Sequence, residues 1–250
     1  SLSSLAHEAI NQALADAGID ASQVQAVWAG NAAAPVVTGQ VCIAGQAILR
    51  GLGIERVPEI NVENACATAS TAFQQAAMMV TLGAYDVVLA FGVEKLYSPD
   101  KQKVFSVFAG CADVEHPEAL ESFILNDGAD ADGAGQSRSV FMDIYARLAR
   151  DYMLKSGATA RDFAAISVKN SLHGSLNPNA QFRDVLTVDD VLNAPQIIAP
   201  LTLTMCSPLA DGAAAAVIMS PKAARELGVR KPVNVLSSVL ASGYDYTDGI

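Results

Sequence analysis

Among side chains able to form a covalent intermediate, Cys66 stands out. It lies in Asn61-Val-Glu-Asn-Ala-Cys66-Ala-Thr-Ala-Ser70, where a strand-like run stops and a helical pattern begins. A thiol at a helix N-terminus meets unpaired backbone N–H groups and the positive end of the helix dipole, which favour its thiolate. The same N–H groups can stabilise an oxyanion on an acyl group carried by the sulfur. Ala65, Ala67 and Ala69 leave room for a substrate and let the turn be tight. A small buried cysteine packing the junction fits the same position, and residue types alone leave both readings open.

The other reactive residues carry less. Cys42, Cys111 and Cys206 lie far from Cys66 and from one another with no C-x-x-C pair, so neither a zinc site nor a disulfide framework is expected, and a reducing cytoplasm suits them. His7 and His116 read as surface residues on a helix and in an acidic loop. Asp127, Asp130 and Asp132 before Gly133 hint at a calcium loop, but its first position would be Gly128 and its twelfth Ser139, so both key carboxylates are absent. No metal is expected.

The 250 residues carry 16 Lys and Arg against 26 Asp and Glu, a formal charge of −10. That balance argues against nucleic acid or an anionic membrane surface as partner. With 51% apolar and 17% charged residues the chain can bury a large core. No apolar run approaches the roughly 18 residues of a membrane helix, so no membrane span is expected.

To position Cys66 the chain must place a strand before it and a helix after it. The pattern predicts a helix over residues 2–17 ended by Gly18, a strand over 24–30, a helix over 38–52, a strand over 58–62, a helix over 68–82 and a buried strand over 86–92. Between residues 95 and 200 the rhythm breaks, with helices over 141–156, 159–172 and 188–192. It returns with a strand over 211–220, a helix over 221–227 and a strand over 232–240. This order predicts an α/β fold whose mixed, mostly parallel sheet carries helices on both faces. The chain starts on a helix and stops just after an apolar strand, so it reads as cut from something larger.

Separated motifs in consistent order resemble the thiolase superfamily, most closely the sterol-carrier-protein type. They are Asn61 to Phe73 around Cys66, Gly83-Ala-Tyr-Asp-Val-Val-Leu-Ala-Phe-Gly-Val-Glu-Lys95, the set Lys169-Asn170, His173, Asn177-Pro178 and Gln181-Phe182, and the run from Pro200 to Ala216. The resemblance implies a layered thiolase fold, apparently truncated. Residues 1–94 and 201–231 would form the first, nucleophile-bearing half without its opening strand, 95–200 an inserted loop domain, and 232–250 the start of a second half.

It further implies an acyl-CoA acyltransferase in which Cys66 is acylated and its own N–H serves an oxyanion hole, with coenzyme A thioesters as substrates and no cofactor. Ser207 and Met142 align with positions lining the pantetheine and acyl tunnel. His173 reads as structural, and Cys206 has no acid-base role. A homodimer or tetramer is implied, with a small partner domain possible. Other readings are a non-catalytic acyl-CoA or lipid-binding relative acting with a partner domain, a thiolase-fold steroid side-chain aldolase and, below these, a ketoacyl-synthase type condensing enzyme.

The family's second-half motifs, Gly-His-Pro, His-Asp-Cys-Phe, Asn-Glu-Ala-Phe and Cys-Gly-Gly, do not occur between Ser1 and Ile250. The chain thus holds the nucleophile without its general base, which nucleophilic cysteine catalysis normally needs. The 250-residue polypeptide alone is expected to be inactive; thiolysis of a 3-ketoacyl-CoA above the buffer rate would contradict this.

Overall fold

A computed structural model of the protein describes residues 1–125, 133–134 and 137–242. The elements run α1 (Leu2–Ala17), β1 (Ala26–Gly30), α2 (Ala34–Val37), α3 (Ala44–Leu49), β2 (Glu59–Val62), α4 (Thr68–Thr81), β3 (Val87–Glu94), α5 (Lys101–Ala109), α6 (Pro117–Leu125), α7 (Val140–Ser156), α8 (Ala160–Leu176), α9 (Val188–Leu192), β4 (Gln196–Ile198), β5 (Leu201–Thr202), β6 (Gly212–Met219) and α10 (Pro221–Glu226). They form two compact units, Ser1–Leu96 with Asp211–Ile250, and Tyr97–Ala210.

The first unit is built on a four-stranded sheet in the order β2-β1-β3-β6. Strand β1 is parallel to both β2 and β3, and β6 returns antiparallel along the whole of β3. This is the mixed, mostly parallel α/β sheet expected. Its central strands are apolar from Ala26 to Gly30 and from Val87 to Val93 because both faces are covered. Val27, Ala29, Leu89 and Phe91 pack with Ala6, Ile10 and Leu14 of α1 and with Ile48 and Leu49 of α3. Trp28, Val88 and Ala90 pack with Ala72, Ala76 and Ala77 of α4. Helix α1 starts on a capping box between Ser1 and Ser4 and stops at Gly18, whose φ of 70° ends the helix in the left-handed conformation.

Helix α4 lies very close to the sheet at its first turn. A Cβ added to Gly92 would sit 2.5 Å from the Ala69 Cβ, and one added to Gly30 would sit 3.0 Å from Thr68 Cγ2 and 3.3 Å from the Phe91 carbonyl oxygen. Glycine in β1 and β3, facing small residues of α4, is what lets the helix start directly over the strand ends.

Two expectations are corrected here. The single helix expected over 38–52 is shortened to α3, with α2 a separate turn before it, because Gly39 at φ 82° and Ile43 at φ 52° turn the chain between the two. Asn61 Oδ1 then accepts the N–H of Gly45 at 2.7 Å, fixing the start of α3. The strand expected over 232–240 does not form: no described strand pairs with these residues, and Val233, Leu236 and Val239 are exposed. An apolar alternation makes a strand only where a neighbouring backbone completes its ladder.

The second unit is helical, with α5–α9 and the β4–β5 hairpin. Helices α5 and α6 were not anticipated; they bury Val104, Val107 and Ile124, and α5 is capped by Asp100, whose carboxylate accepts from the Gln102 and Lys103 N–H groups. The fully buried Asp143 is held by Arg138 at 2.6 Å. Of the calcium-like stretch, residues 127–132 and 135 lie outside the described residues, and Ser139 is the N-cap of α7. Residues 243–250 also lie outside them.

Overpacking the α4 contact should be costly. Gly92→Ala is expected to destabilise the fold by about 1–3 kcal/mol in urea titration, and adding Ala69→Gly should recover part of that loss by removing the clashing methyl. A Gly92→Ala protein with an unchanged midpoint would show that the helix yields at no cost.

Candidate active site at the C-terminal ends of the parallel strands

Because β1, β2 and β3 are parallel, their C-terminal ends fall on one edge of the sheet, where α/β proteins place their ligands. Asn31 follows β1, Glu63 to Cys66 follow β2, and Glu94 closes β3.

The chain between β2 and α4 is a short 3-10 turn, Ala65–Ala67, with Ala65 at φ 44°. Left-handed backbone is unfavourable for alanine, so the turn must be held from outside. The N–H of Asn64 donates to the Thr68 hydroxyl at 2.8 Å, and that hydroxyl donates to the Ala65 carbonyl at 2.7 Å. The Ala65 N–H donates to Glu63 Oε1 at 2.6 Å and the Ala67 N–H to the Asn64 carbonyl at 2.9 Å. The Asn64 side-chain amide donates to the Thr71 hydroxyl at 2.9 Å. Thr68 and Thr71 are buried.

Cys66, at the middle of this turn, is exposed. Among the described residues neither its thiol nor its N–H has a hydrogen-bond partner. An accessible sulfur beside an uncommitted N–H can attack a carbonyl carbon and then stabilise the oxygen that becomes negative.

The neighbouring strand ends are held by carboxylates. Glu94 accepts from the N–H groups of Ala32 at 2.5 Å and Ala33 at 3.0 Å and from the Asn31 amide at 3.3 Å; that amide also donates to the Val93 carbonyl at 2.7 Å. Burial pushes the Glu94 carboxyl above its usual 4.5, the two backbone N–H groups pull it down, and the charge of Glu63 pushes it up. Immediately after β3, Lys95 pairs with Asp211 at 2.6 Å, and Asp211 also accepts the Leu96 N–H at 2.9 Å.

The sequence candidates do not all fall in one unit. Cys66 belongs to the first, whereas Met142, half-buried in the first turn of α7, and Ser207, exposed after Leu203–Met205, belong to the second. Cys206 donates to the Thr202 carbonyl at 3.4 Å, and burial pushes its thiol up, so it stays a neutral thiol. His7 is half-buried, not the plain surface residue expected: its Nε2 lies 2.5 Å from the Ile48 carbonyl oxygen. His116 is exposed beside Glu118, and His173 is exposed in the last turn of α8. Among the described residues no three His, Cys, Asp or Glu side chains group as a metal centre, and no helix is long and apolar enough to cross a membrane.

Sequence reasoning missed Thr68, Glu63 and Glu94 as parts of this edge. Signals were present: a threonine two residues after the cysteine in a first helical turn, and a carboxylate at the end of an apolar strand, where loop N–H groups need an acceptor.

The family model described as "Thiolase, N-terminal domain" matches residues 1–222. Benzoylsuccinyl-CoA thiolase subunit BbsB of Thauera aromatica is 34% identical over 241 residues, covering 96% of this chain and 56% of that protein. An acetyl-CoA acetyltransferase of Methanothermobacter thermautotrophicus is 33% identical, covering 92% and 55%. Sterol carrier protein 2 of Gallus gallus is 34% identical, covering 97% and 42%. The chain thus spans about half the length of these curated relatives. Among solved structures, "Ltp2-ChsH2(DUF35) aldolase" superposes with a TM-score of 0.64 at 26% identity, covering 90% of this chain and 52% of that one.

Glu94 gives a pH signature. Its raised value in the fold means that its contribution to stability is complete below its usual 4.5 and is lost as pH rises through the raised value. The melting temperature of the wild type should therefore fall relative to that of Glu94→Gln as pH is raised from about 4 to 7. A constant difference between the two curves would mean that Glu94 titrates alike in folded and unfolded chains.

Proposed function

The chain belongs to the thiolase family, and on that premise we propose that it carries the nucleophile of an acyl-CoA acyltransferase, with Cys66 as the residue acylated. The observation that carries this reading is the exposed Cys66 on a turn whose other N–H groups are occupied while its own N–H has no acceptor among the described residues. The Cys66 thiolate attacks the carbonyl carbon of an acyl-CoA thioester, and the Cys66 N–H supports the oxyanion. As the tetrahedral species collapses, the bond to the coenzyme A sulfur breaks and the departing thiolate takes up a proton. In condensation the acyl group then passes to the α-carbon of a second acyl-CoA, which gives up its α-proton. In thiolysis the Cys66 thiolate instead attacks the 3-keto carbon of a 3-ketoacyl-CoA, the C2–C3 bond breaks, and the departing acyl-CoA carbanion takes up a proton. The acyl group left on Cys66 passes to the sulfur of coenzyme A, which gives up its thiol proton as the Cys66 thiolate is restored.

The base that takes the Cys66 proton is not evident among the described residues: His7 is engaged at Ile48, and His116 and His173 belong to the helical unit. In this reading it comes from residues outside the 250 or from a partner chain. Ser207 and Met142 are the candidates for contact with the pantetheine and acyl parts of the substrate. The substrates are coenzyme A thioesters, and no further cofactor enters the scheme. A reducing cytoplasm fits the four cysteines, none of which is in a disulfide among the described residues, and in this reading the protein acts as a homo-oligomer.

A partner-dependent aldolase is the second reading, supported by the likeness to the solved "Ltp2-ChsH2(DUF35) aldolase". A cysteine retained at the exposed turn favours acyl transfer over it, since only acyl transfer uses the sulfur.

The test is to incubate the protein expressed from its whole gene with acetyl-CoA and with a longer acyl-CoA and to map adducts by mass spectrometry. An acyl adduct on Cys66 is expected, and Cys66→Ala should remove it and lower turnover by about 1,000-fold or more. A wild-type protein that never acylates, or a Cys66→Ala variant that turns over normally, would sink the acyl-transfer reading and favour the aldolase or a binding module.

A further inference from the structure

We propose that Thr68 is a positioning residue for Cys66: its buried hydroxyl clamps the left-handed turn at Ala65 that presents the thiol and its N–H. The proposal rests on the reading of Cys66 as the acylated nucleophile.

The geometry supporting it is local and complete. One hydroxyl serves two peptide groups, accepting from the Asn64 N–H at 2.8 Å and donating to the Ala65 carbonyl at 2.7 Å. These two groups enclose Asn64 and the Cα of Ala65, where φ is 44°, and the peptide between them is held by the Ala65 N–H on Glu63 and the Ala67 N–H on the Asn64 carbonyl. An L-residue gains nothing by itself from that conformation, so the turn persists only while its flanking peptides are fixed. Thr68 is itself immobile: it opens α4, it is 5% exposed, and its methyl faces Gly30 at the close approach of helix and sheet. The position of the sheet is thereby transmitted through one side chain to the peptide that precedes Cys66. Without the hydroxyl, the part-buried Asn64 N–H loses its partner and the Ala65 carbonyl keeps only the Thr68 N–H, and relaxing the turn re-aims the next N–H in the chain, that of Cys66. Glu63, by contrast, holds the Ala65 N–H from an exposed position and anchors nothing to the sheet.

The experiment compares wild type, Thr68→Val, Thr68→Ser and Thr68→Ala in the protein expressed from its whole gene. Thr68→Val keeps the shape and loses the hydroxyl; Thr68→Ser keeps the hydroxyl and loses the methyl. Two rates are read: single-turnover acylation of Cys66 by acyl-CoA, and alkylation of Cys66 by iodoacetamide, with the exposed Cys42 as internal reference. Thr68→Val is expected to slow both reactions at Cys66 by about tenfold, with KM for acyl-CoA and the Cys42 rate changed by less than about twofold, while Thr68→Ser stays within about threefold of wild type. A merely structural role would lower the melting temperature and disturb KM and Cys42 as well, without rescue by serine. If Thr68→Val does not fold, the Ser and Ala variants make the same comparison of hydroxyl against none. Equal Cys66 rates with and without the hydroxyl overturn the proposal. Should wild-type Cys66 alkylate but never acylate, the acyl-transfer reading falls, and the alkylation ratios alone decide whether Thr68 sets the turn.

Discussion

The first unit depends on how closely one helix can approach one sheet. Gly30 and Gly92 have no side chains to hold α4 away, and Thr68 and Ala69 occupy the space this leaves. A helix held there must begin directly above the strand ends, so the chain leaving β2 has only a few residues in which to reverse. The strained conformation at Ala65 follows from that shortage of length, and it places Cys66 at the outer point of the reversal. Packing density in the core and exposure at the thiol are therefore two results of one contact.

Electrostatics at the same edge are arranged around backbone donors. Three parallel strands end together, and the loops that leave them carry N–H groups with no ladder partner. Glu94 and Glu63 supply acceptors, at the cost of placing two carboxylates near enough for one to feel the other. The N–H of Cys66 is the one in this turn to which the described residues offer no acceptor. A site built to receive a developing negative charge needs such a gap, because a donor already committed to a carboxylate cannot serve an oxyanion.

Much of the architecture was legible in the sequence because it rests on local rules. The capped helix ending at Gly18, the doubly buried runs at β1 and β3 and the proline-started α10 follow from short-range pattern. The place of Cys66 was legible because a strand-to-helix junction is itself a local pattern. What escaped was set by partners distant in sequence. The late start of α3 within residues 38–52 depends on Asn61, the contacts of Glu94 depend on the loop after β1, and residues 232–240 are apolar without a described strand to pair with. Helices α5 and α6 escaped for a different reason: their short apolar stripes cover a small core of their own, and a long acidic stretch masks them in the sequence.

The ladder between β3 and β6 has a further consequence. Its two strands are separated in sequence by the whole helical unit, yet they pair from Val87 with Met219 to Glu94 with Gly212, and Asp211 fastens the open end to Lys95 and Leu96. During synthesis β3 leaves the ribosome long before β6 exists, so one margin of the nascent sheet stays unpaired while the intervening residues are made. Closing so long a loop costs only logarithmically more than closing a short one. The delay is therefore kinetic, and a chaperone or a fast-folding helical insert would serve the protein by shielding that margin until β6 arrives.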